Sequence, residues 1–263
     1  MVIRRALAKV RDGLLSLGYP EQCRMCEATV ESWDDGVVCA RCWTDQATTE
    51  TFLSKPLCPK CGGRLPRAMV TQPPQNQITN LKSGSVACGL CADMPYTHAR
   101  ACGAYAGALE ASVLFLKSHP YLCRRLRTLL ARTFSENREA LASDVIISVP
   151  LYRLRLKERG FNQAAVIAKA LSRDIQLPLD IKAVLRIKPT ERHRAGMDRI
   201  DRTRSVRDAF EVAHTRLVSG KRVLLVDDIY TTGSTVAACA KALVQAGVEQ
   251  VNVLTIARAI SHY

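Results

Sequence analysis

Four Cys-x-x-Cys pairs within the first 91 residues constrain the fold of this chain more than any other feature of its sequence. The pairs are Cys23/Cys26, Cys39/Cys42, Cys58/Cys61 and Cys88/Cys91. Two thiolates separated by two residues can bind one metal ion from a single tight turn, and two such turns complete a tetrahedral site. One pair alone would be a weak indication, whereas four in succession predict two structural zinc sites with cysteine ligands only.

The sequence leaves the pairing of these turns open. Pairing in chain order joins the first two turns into one zinc ribbon and the last two into a second, whereas a cross-braced arrangement would exchange partners. A disulfide framework is the other alternative, but it is typical of secreted proteins. The basic N-terminal segment has an apolar stretch too short for a signal peptide, so we expect a reducing, cytoplasmic environment and favour zinc. Cys102, Cys123 and Cys239 are isolated and are expected to be small buried apolar residues.

Composition along the chain changes at about residue 95, which predicts two domains. Residues 1–94 would form an N-terminal helix and a double zinc ribbon, with a polar, Pro-rich loop at 67–86. In residues 95–263, continuous apolar runs alternate with amphipathic segments. Strands are expected at 99–105, 144–150, 221–228 and 251–257, and helices at 108–118, 121–134, 162–174 and 234–247. This alternation predicts an α/β domain with a parallel sheet covered by helices on both faces.

The charge of the chain is strongly positive and unevenly spread. The net charge is +14 over 263 residues, and residues 151–210 hold 15 Lys and Arg against 7 Asp and Glu, a local excess of 8. This excess predicts an anionic partner, either a phosphate ligand or nucleic acid. A solvated basic face is the alternative. No apolar run approaches the roughly 20 residues that span a bilayer, so the chain is not expected to cross a membrane.

The segment VLLVDDIYTTGSTV, residues 223–236, combines an acidic pair with an anion-binding turn. Asp227 and Asp228 end a buried strand, and the turn that follows leads into a helix N-terminus rich in hydroxyl groups. Free backbone N–H groups there favour an anion, and Gly233 allows close approach. Carboxylates beside a phosphate cradle suit a ribose 5-phosphate. The alternative, the magnesium-binding strand of nucleoside triphosphatases, requires a phosphate-binding Gly-Lys loop, and the Gly220-Lys221 pair lacks the rest of that motif.

This segment resembles the phosphoribosyl diphosphate (PRPP) motif of type I phosphoribosyltransferases. With the cysteine pairs and the run VPLYRLRLKERGFNQA at 149–164, the whole chain resembles the ComF family of competence-associated proteins. The resemblance implies a type I phosphoribosyltransferase-like sheet preceded by a zinc-ribbon domain. It also implies a role in DNA uptake and processing, with competence-machinery proteins and single-stranded DNA as partners.

The resemblance also implies roles for individual residues. Asp227 and Asp228 would be the catalytic pair and would contact the ribose hydroxyls directly or through Mg²⁺. The other PRPP-binding residues implied are Thr231, Thr232, Gly233, Ser234 and Thr235 around the 5-phosphate, and Pro150, Leu151, Arg155, Arg159 and Arg194 around the pyrophosphate. Arg194 lies in the basic segment 192–210, where type I enzymes carry a mobile hood over the active site.

Two classes of function are compatible with these features. The expected ligand is PRPP or another ribose 5-phosphate. As an enzyme, the chain would displace pyrophosphate from C1 of PRPP in favour of an acceptor that the sequence does not identify. As a binding protein, it would sense PRPP without turnover or bind single-stranded DNA through its basic segments.

Overall fold

The structure, a computed structural model, describes residues 21–44, 57–65, 88–189 and 208–259. The strands are β1 (His98–Ala104), β2 (Val145–Ser148), β3 (Leu179–Asp180), β4 (Val184–Arg186), β5 (Phe210–Val212), β6 (Arg222–Tyr230) and β7 (Gln250–Arg258). The helices are α1 (Ala40–Thr44), α2 (Gly107–Leu116), α3 (Arg124–Glu136), α4 (Arg153–Arg159), α5 (Gln163–Ile175), α6 (Thr215–Val218) and α7 (Ser234–Gln245). The strands and helices predicted from the apolar pattern are all present, with ends shifted by a few residues.

Five strands form one parallel sheet in the order β1-β7-β6-β2-β3. The central strands are apolar on both sides because both faces of the sheet are covered, and Ile146, Leu224 and Leu254 are fully buried. Helices α3 and α5 pack on one face together with Leu224 and Val226. Helix α7 packs on the other face, where Val223 and Leu225 lie. The predicted helix-covered parallel sheet is therefore confirmed.

Several short elements were not expected from the apolar pattern. Strands β4 and β5 form a separate antiparallel pair, and the chain between them contains most of the basic segment. Helix α4 is exposed except at its last residue, Arg159, and it is followed by Gly160, which adopts a left-handed conformation with φ 79°. Short exposed elements such as α4 and α6 lack a buried stripe, so hydrophobic periodicity does not reveal them.

The two cysteine clusters lie on opposite faces of the sheet. Cys23, Cys39 and Cys42 belong to the same apolar core as α2 and α3. The cluster that begins at Cys58 shares the core of α7 instead. Each ribbon is therefore part of a core of the sheet domain.

Polar contacts reinforce both junctions. On the side of the first cluster, Arg125 donates to Asp35 at 2.8 Å and lies over the Trp43 ring. On the side of the second, the Ala99 N–H donates to the Lys60 carbonyl at 2.7 Å. The ribbons are thus attached to the sheet by buried apolar side chains and by specific hydrogen bonds.

Some predictions fall outside the described residues. These are the N-terminal helix, the loop at 67–86 and the part of the basic segment that contains Arg194. The domain boundary at residue 94 stays a prediction. Within the described ranges, no helix combines the length and the apolar character that crossing a bilayer requires.

Candidate functional site

The acidic pair lies at the carboxyl end of β6, in the middle of the sheet. Both side chains are half-buried, and each accepts a hydrogen bond from the backbone N–H of the next residue: Asp228 N–H to Asp227 Oδ1 at 2.9 Å and Ile229 N–H to Asp228 Oδ1 at 2.8 Å. Because consecutive strand residues point to opposite faces, the two carboxyl groups have different neighbours. Asp227 interacts electrostatically with Arg186, and Asp228 with Lys117 and Arg159.

Burial raises the pKa of both carboxyl groups. The pKa of Asp227 lies well above its usual range because of desolvation and, next, the charge of Asp228; Arg186 opposes this shift. Desolvation also raises the pKa of Asp228, against the opposing effect of the Ile229 N–H, Lys117 and Arg159. Two adjacent carboxyl groups that resist ionisation are suited to binding hydroxyl groups or a cation, because either relieves the cost of the buried charge.

The turn after β6 has the geometry of an anion cradle. Gly233 adopts φ 79° and is the N-cap of α7, so the first N–H groups of this helix face the turn. The Thr232 and Ser234 hydroxyl groups are 2.8 Å apart. Thr231 is exposed, Ser234 is buried and Thr235 is half-buried. Helix dipole, backbone donors and hydroxyl groups together favour a phosphate at this position.

A second loop follows the strand next to β6. Pro150 and Leu151 follow β2, which pairs directly with β6. The Asn162 side chain braces this loop: its Nδ2 donates to the Val149 carbonyl at 2.9 Å, and its Oδ1 accepts from the Ala164 N–H at 3.1 Å at the start of α5. From β2 and β6 the chain proceeds to opposite faces of the sheet, through α5 and α7. Ligands of α/β proteins bind at such a switch point.

The two predicted arginines on α4 differ in their positions. Arg159 is half-buried at the end of the helix, and its charge is felt by Asp228. Arg155 is exposed and pairs with Glu158 at 3.1 Å. Of the predicted residues, the structure therefore brings together Asp227, Asp228, the turn 231–235, the loop at Pro150–Leu151 and Arg159.

Three residues around the acidic pair were missed by the sequence analysis. Lys117, just after α2, and Arg186, at the end of β4, supply positive charge to the two carboxyl groups. Tyr105, just after β1, feels the charge of Asp228, and burial raises its pKa. The segments that carry them have no motif, and only the tertiary structure brings them near the acidic pair.

The cysteine pairs form two four-sulfur clusters in chain order, so the first of the pairing alternatives is confirmed. The clusters are Cys23, Cys26, Cys39 and Cys42, and Cys58, Cys61, Cys88 and Cys91, each with all its sulfur atoms within 4.8 Å of one another. Sulfur atoms bound to one zinc ion at about 2.3 Å lie roughly 3.8 Å apart. The separation of Cys26 and Cys39 is 3.6 Å, and that of Cys61 and Cys88 is 3.5 Å.

Backbone donors complete the two cysteine sites. The Cys39 N–H donates to Cys23 Sγ at 3.3 Å, and the Cys88 N–H to Cys58 Sγ at the same distance. Such bonds stabilise thiolate ligands, so both sites fit structural zinc. The other cysteines, Cys102, Cys123 and Cys239, are buried as predicted, and burial raises the pKa of each.

Comparison with known proteins agrees with this architecture. A family model described as a phosphoribosyl transferase domain matches residues 156–263, and one described as a double zinc ribbon domain matches residues 14–75. The DNA utilization protein YhgH of Shigella flexneri is 30% identical over 253 residues, which cover 93% of this chain and 100% of that protein. Competence protein F of Haemophilus influenzae is 38% identical over 136 residues, 51% of this chain and 59% of that protein. The chain belongs to the ComF family.

Similar solved structures, at low sequence identity, include two enzymes named for PRPP or for phosphoribosyl transfer. A glutamine PRPP amidotransferase from B. subtilis is 21% identical, with 57% of this chain and 26% of that chain covered and a TM-score of 0.34. A purine phosphoribosyltransferase from Pyrococcus horikoshii is 19% identical, with 51% and 80% covered and a TM-score of 0.31. The type I phosphoribosyltransferase-like fold of this ComF chain therefore rests on the family model and on its own strand order.

Proposed function

We propose that this ComF protein binds PRPP with Mg²⁺ and transfers its phosphoribosyl group to an acceptor, in the cytoplasm, as part of DNA uptake and utilisation. One observation carries the proposal. The carboxyl end of the central strand presents Asp227 and Asp228 beside a turn with Gly233 at positive φ that opens helix α7. This is the arrangement that a ribose with a terminal phosphate requires.

Each part of the site has a role in this proposal. Asp227 and Asp228 accept hydrogen bonds from the ribose hydroxyl groups or bind Mg²⁺, and the turn at 231–235 holds the 5-phosphate. Arg159 and the loop at Pro150–Leu151 face the pyrophosphate, whose departure a fixed positive charge favours. Bound Mg²⁺ would supply further charge neutralisation for the leaving group. Two relatives are named for competence and for DNA utilization, and these names support the proposed role in DNA uptake and utilisation.

Calorimetric titration with PRPP in the presence of Mg²⁺ tests the binding site. We expect the wild-type protein to bind, and the Asp227→Asn/Asp228→Asn variant to lose more than tenfold in affinity, since each charged hydrogen bond is worth about 1.5–3 kcal/mol. Asp93→Asn/Glu249→Gln, which changes two exposed carboxyl groups, should bind like the wild type. Equal affinity in all three proteins would refute the assignment.

Release of pyrophosphate separates an enzyme from a sensor. The wild-type protein is incubated with PRPP and a panel of bases and amines, and inorganic pyrophosphate is measured over time. Release that depends on one acceptor supports phosphoribosyl transfer. Binding of PRPP without release for any acceptor contradicts the enzymatic part of the proposal and leaves a PRPP sensor.

A groove at the opposite end of the sheet favours a second function, binding of single-stranded DNA. This groove of about 940 Å³ is lined by Arg124, Arg127, Arg132, Arg138 and Arg222 and, among the described residues, by the acidic side chains Asp34 and Asp174. Four of these arginines pair with a carboxylate: Arg124 with Asp34, Arg127 with Asp174, Arg132 with Glu136 and Arg222 with Asp144. Exposed ion pairs contribute at most about 1 kcal/mol, so these guanidinium groups can exchange a carboxylate for a phosphate.

Anisotropy of a labelled single-stranded oligonucleotide tests this second function. Arg124→Gln/Arg138→Gln should weaken binding and lower the salt dependence by about one to two phosphate contacts. The control Lys182→Gln/Arg216→Gln makes the same charge change at exposed positions outside the groove. If the two variants lose affinity equally, the groove has no specific role.

A further inference from the structure

The side chain of Tyr230 lies directly against the phosphate-binding turn. Tyr230 is the last residue of β6, and a Cβ atom on Gly233 would lie 2.2 Å from its hydroxyl oxygen. Only glycine at position 233 leaves room for this hydroxyl group. The turn therefore takes its shape against the tip of the Tyr230 side chain.

Tyr230 is itself held from two sides. Its hydroxyl group is 2.6 Å from the hydroxyl group of Tyr96, and the two rings meet edge to face. On the other side the guanidinium group of Arg258 lies 4.1 Å from the centre of the Tyr230 ring. Since Tyr230 and Arg258 are register partners on adjacent strands, this stack is fixed by the sheet.

Arg258 connects this stack to the second cysteine cluster. It donates to the Cys61 carbonyl at 2.7 Å and lies 3.5 Å from Cys61 Sγ. A Cβ atom on Gly63 would lie 2.7 Å from the guanidinium group, so the ribbon backbone closely encloses Arg258. Four thiolates around one Zn²⁺ carry a net charge of about −2, which attracts this cation strongly in a buried setting.

We infer that Tyr230 and Arg258 are positioning residues through which the second zinc site, Cys58/Cys61/Cys88/Cys91, sets the conformation of the phosphate-binding turn. Loss of zinc from this site releases Arg258, the Tyr230 ring loses its support, and the turn loses the surface that shapes it. The first cysteine cluster makes no such contact among the described residues, because it lies on the other face of the sheet. The consequence for PRPP rests on the proposed function, whereas the coupling between zinc and the turn does not.

Hydrogen exchange of the unliganded protein tests the coupling. Peptides that cover residues 229–236 are followed by mass spectrometry in the wild type, in Cys61→Ser and in Cys39→Ser, the matched change in the first cluster. We expect exchange at the turn to accelerate by roughly fivefold or more in Cys61→Ser, the factor that corresponds to one lost buried hydrogen bond. Cys39→Ser should leave the turn unchanged.

Two further variants retain every cysteine, and they test whether faster exchange could arise merely from unfolding of the zinc site. Arg258→Met and Tyr230→Phe should retain two zinc ions by metal analysis and still accelerate exchange at the turn. Arg100→Met is the control, since Arg100 also donates to the ribbon carbonyl of Lys60 but is not part of the Tyr230 stack. In the Arg258→Met background, Cys61→Ser should add nothing at the turn, because the connection is already broken.

PRPP titration then separates this inference from the proposed function. If the wild type binds PRPP, Cys61→Ser and Arg258→Met should weaken binding by about the factor seen in exchange, and Cys39→Ser and Arg100→Met should not. Failure of the wild type to bind contradicts the proposed function, while the exchange data still decide the coupling. Unchanged exchange at the turn in both Cys61→Ser and Arg258→Met, or equal acceleration in Cys39→Ser, overturns the inference.

Discussion

At the scale of a single residue, burial of the Asp227 carboxyl group lowers the stability of the unliganded protein, although the same group is proposed to bind the ligand. Its carboxyl group is placed where desolvation and Asp228 both oppose ionisation. The folded protein therefore binds this proton more tightly than the unfolded chain does. Between the ordinary pKa of a carboxyl group and the raised value, stability falls as the pH rises.

Asp227→Asn should consequently stabilise the unliganded protein at neutral pH, by about 1 kcal/mol. Asparagine keeps the Oδ1 acceptor for the Asp228 N–H and removes the charge. The gain should disappear at a pH below about 4, where the unfolded carboxyl group is also protonated. Urea denaturation at neutral and acidic pH measures both effects, with the exposed Asp93→Asn as control. A destabilised variant at neutral pH would contradict the unfavourable burial of Asp227.

At the scale of elements, the N-terminus of α7 depends on one glycine. Gly233 has φ 79°, and the position that a Cβ atom would take at this residue is filled by the Tyr230 hydroxyl group. A side chain here meets two separate penalties, the left-handed backbone and the clash with Tyr230. The turn and the Tyr230 side chain that packs against it are therefore a single structural unit.

Gly233→Ala should destabilise the fold by more than Gly220→Ala does. Gly220 also has positive φ, at 69°, but open space surrounds its Cβ position, so alanine there costs only the strain of the left-handed backbone, about 1–2 kcal/mol. The difference in unfolding free energy between the two variants isolates the clash. Gly233→Ala should also reduce PRPP affinity, while Gly220→Ala should not. Equal stability of the two variants would show that the turn adjusts freely.

At the scale of the whole molecule, the two cysteine clusters brace the sheet from opposite faces. The first packs beside α2 and α3, and the second reaches β7 through Arg258. Each cluster shares a hydrophobic core with the sheet, so metal binding and folding of the sheet are thermodynamically linked.

Metal analysis should find two zinc ions per chain, one for each cluster. Removal of both ions with a strong chelator should lower the thermal midpoint of the entire domain, since no ribbon can rearrange without exposing part of a core. Differential scanning calorimetry, with zinc restored as a control, measures this shift. A sheet transition that stays at the same temperature after both ions are removed would show that the ribbons fold independently.

Much of the fold was predictable because its signals are local in the chain. Apolar runs such as 221–228 identify buried strands, and the spacing of Cys58 and Cys61 identifies a metal-binding turn. Helix α4 was missed because a short exposed helix has no periodic apolar pattern, and the pair β4–β5 was missed because strands of three residues are too short to show one. Gly160, which ends α4 with a left-handed conformation, was the one signal that could have revealed this helix.

The residues of the candidate site likewise fall into two groups, those that the sequence predicts and those that only the structure identifies. By itself the sequence determined the acidic pair, the turn after it and the chemistry of the eight cysteines, because residues that act together there are neighbours in the chain. Only the tertiary structure decided that Lys117 and Arg186 surround the acidic pair, that each cysteine cluster takes its own face of the sheet, and that Arg258 joins Cys61 to Tyr230. These relationships depend on which distant segments pack together, and that is set by the strand order and the shared cores, which no local pattern of residues encodes.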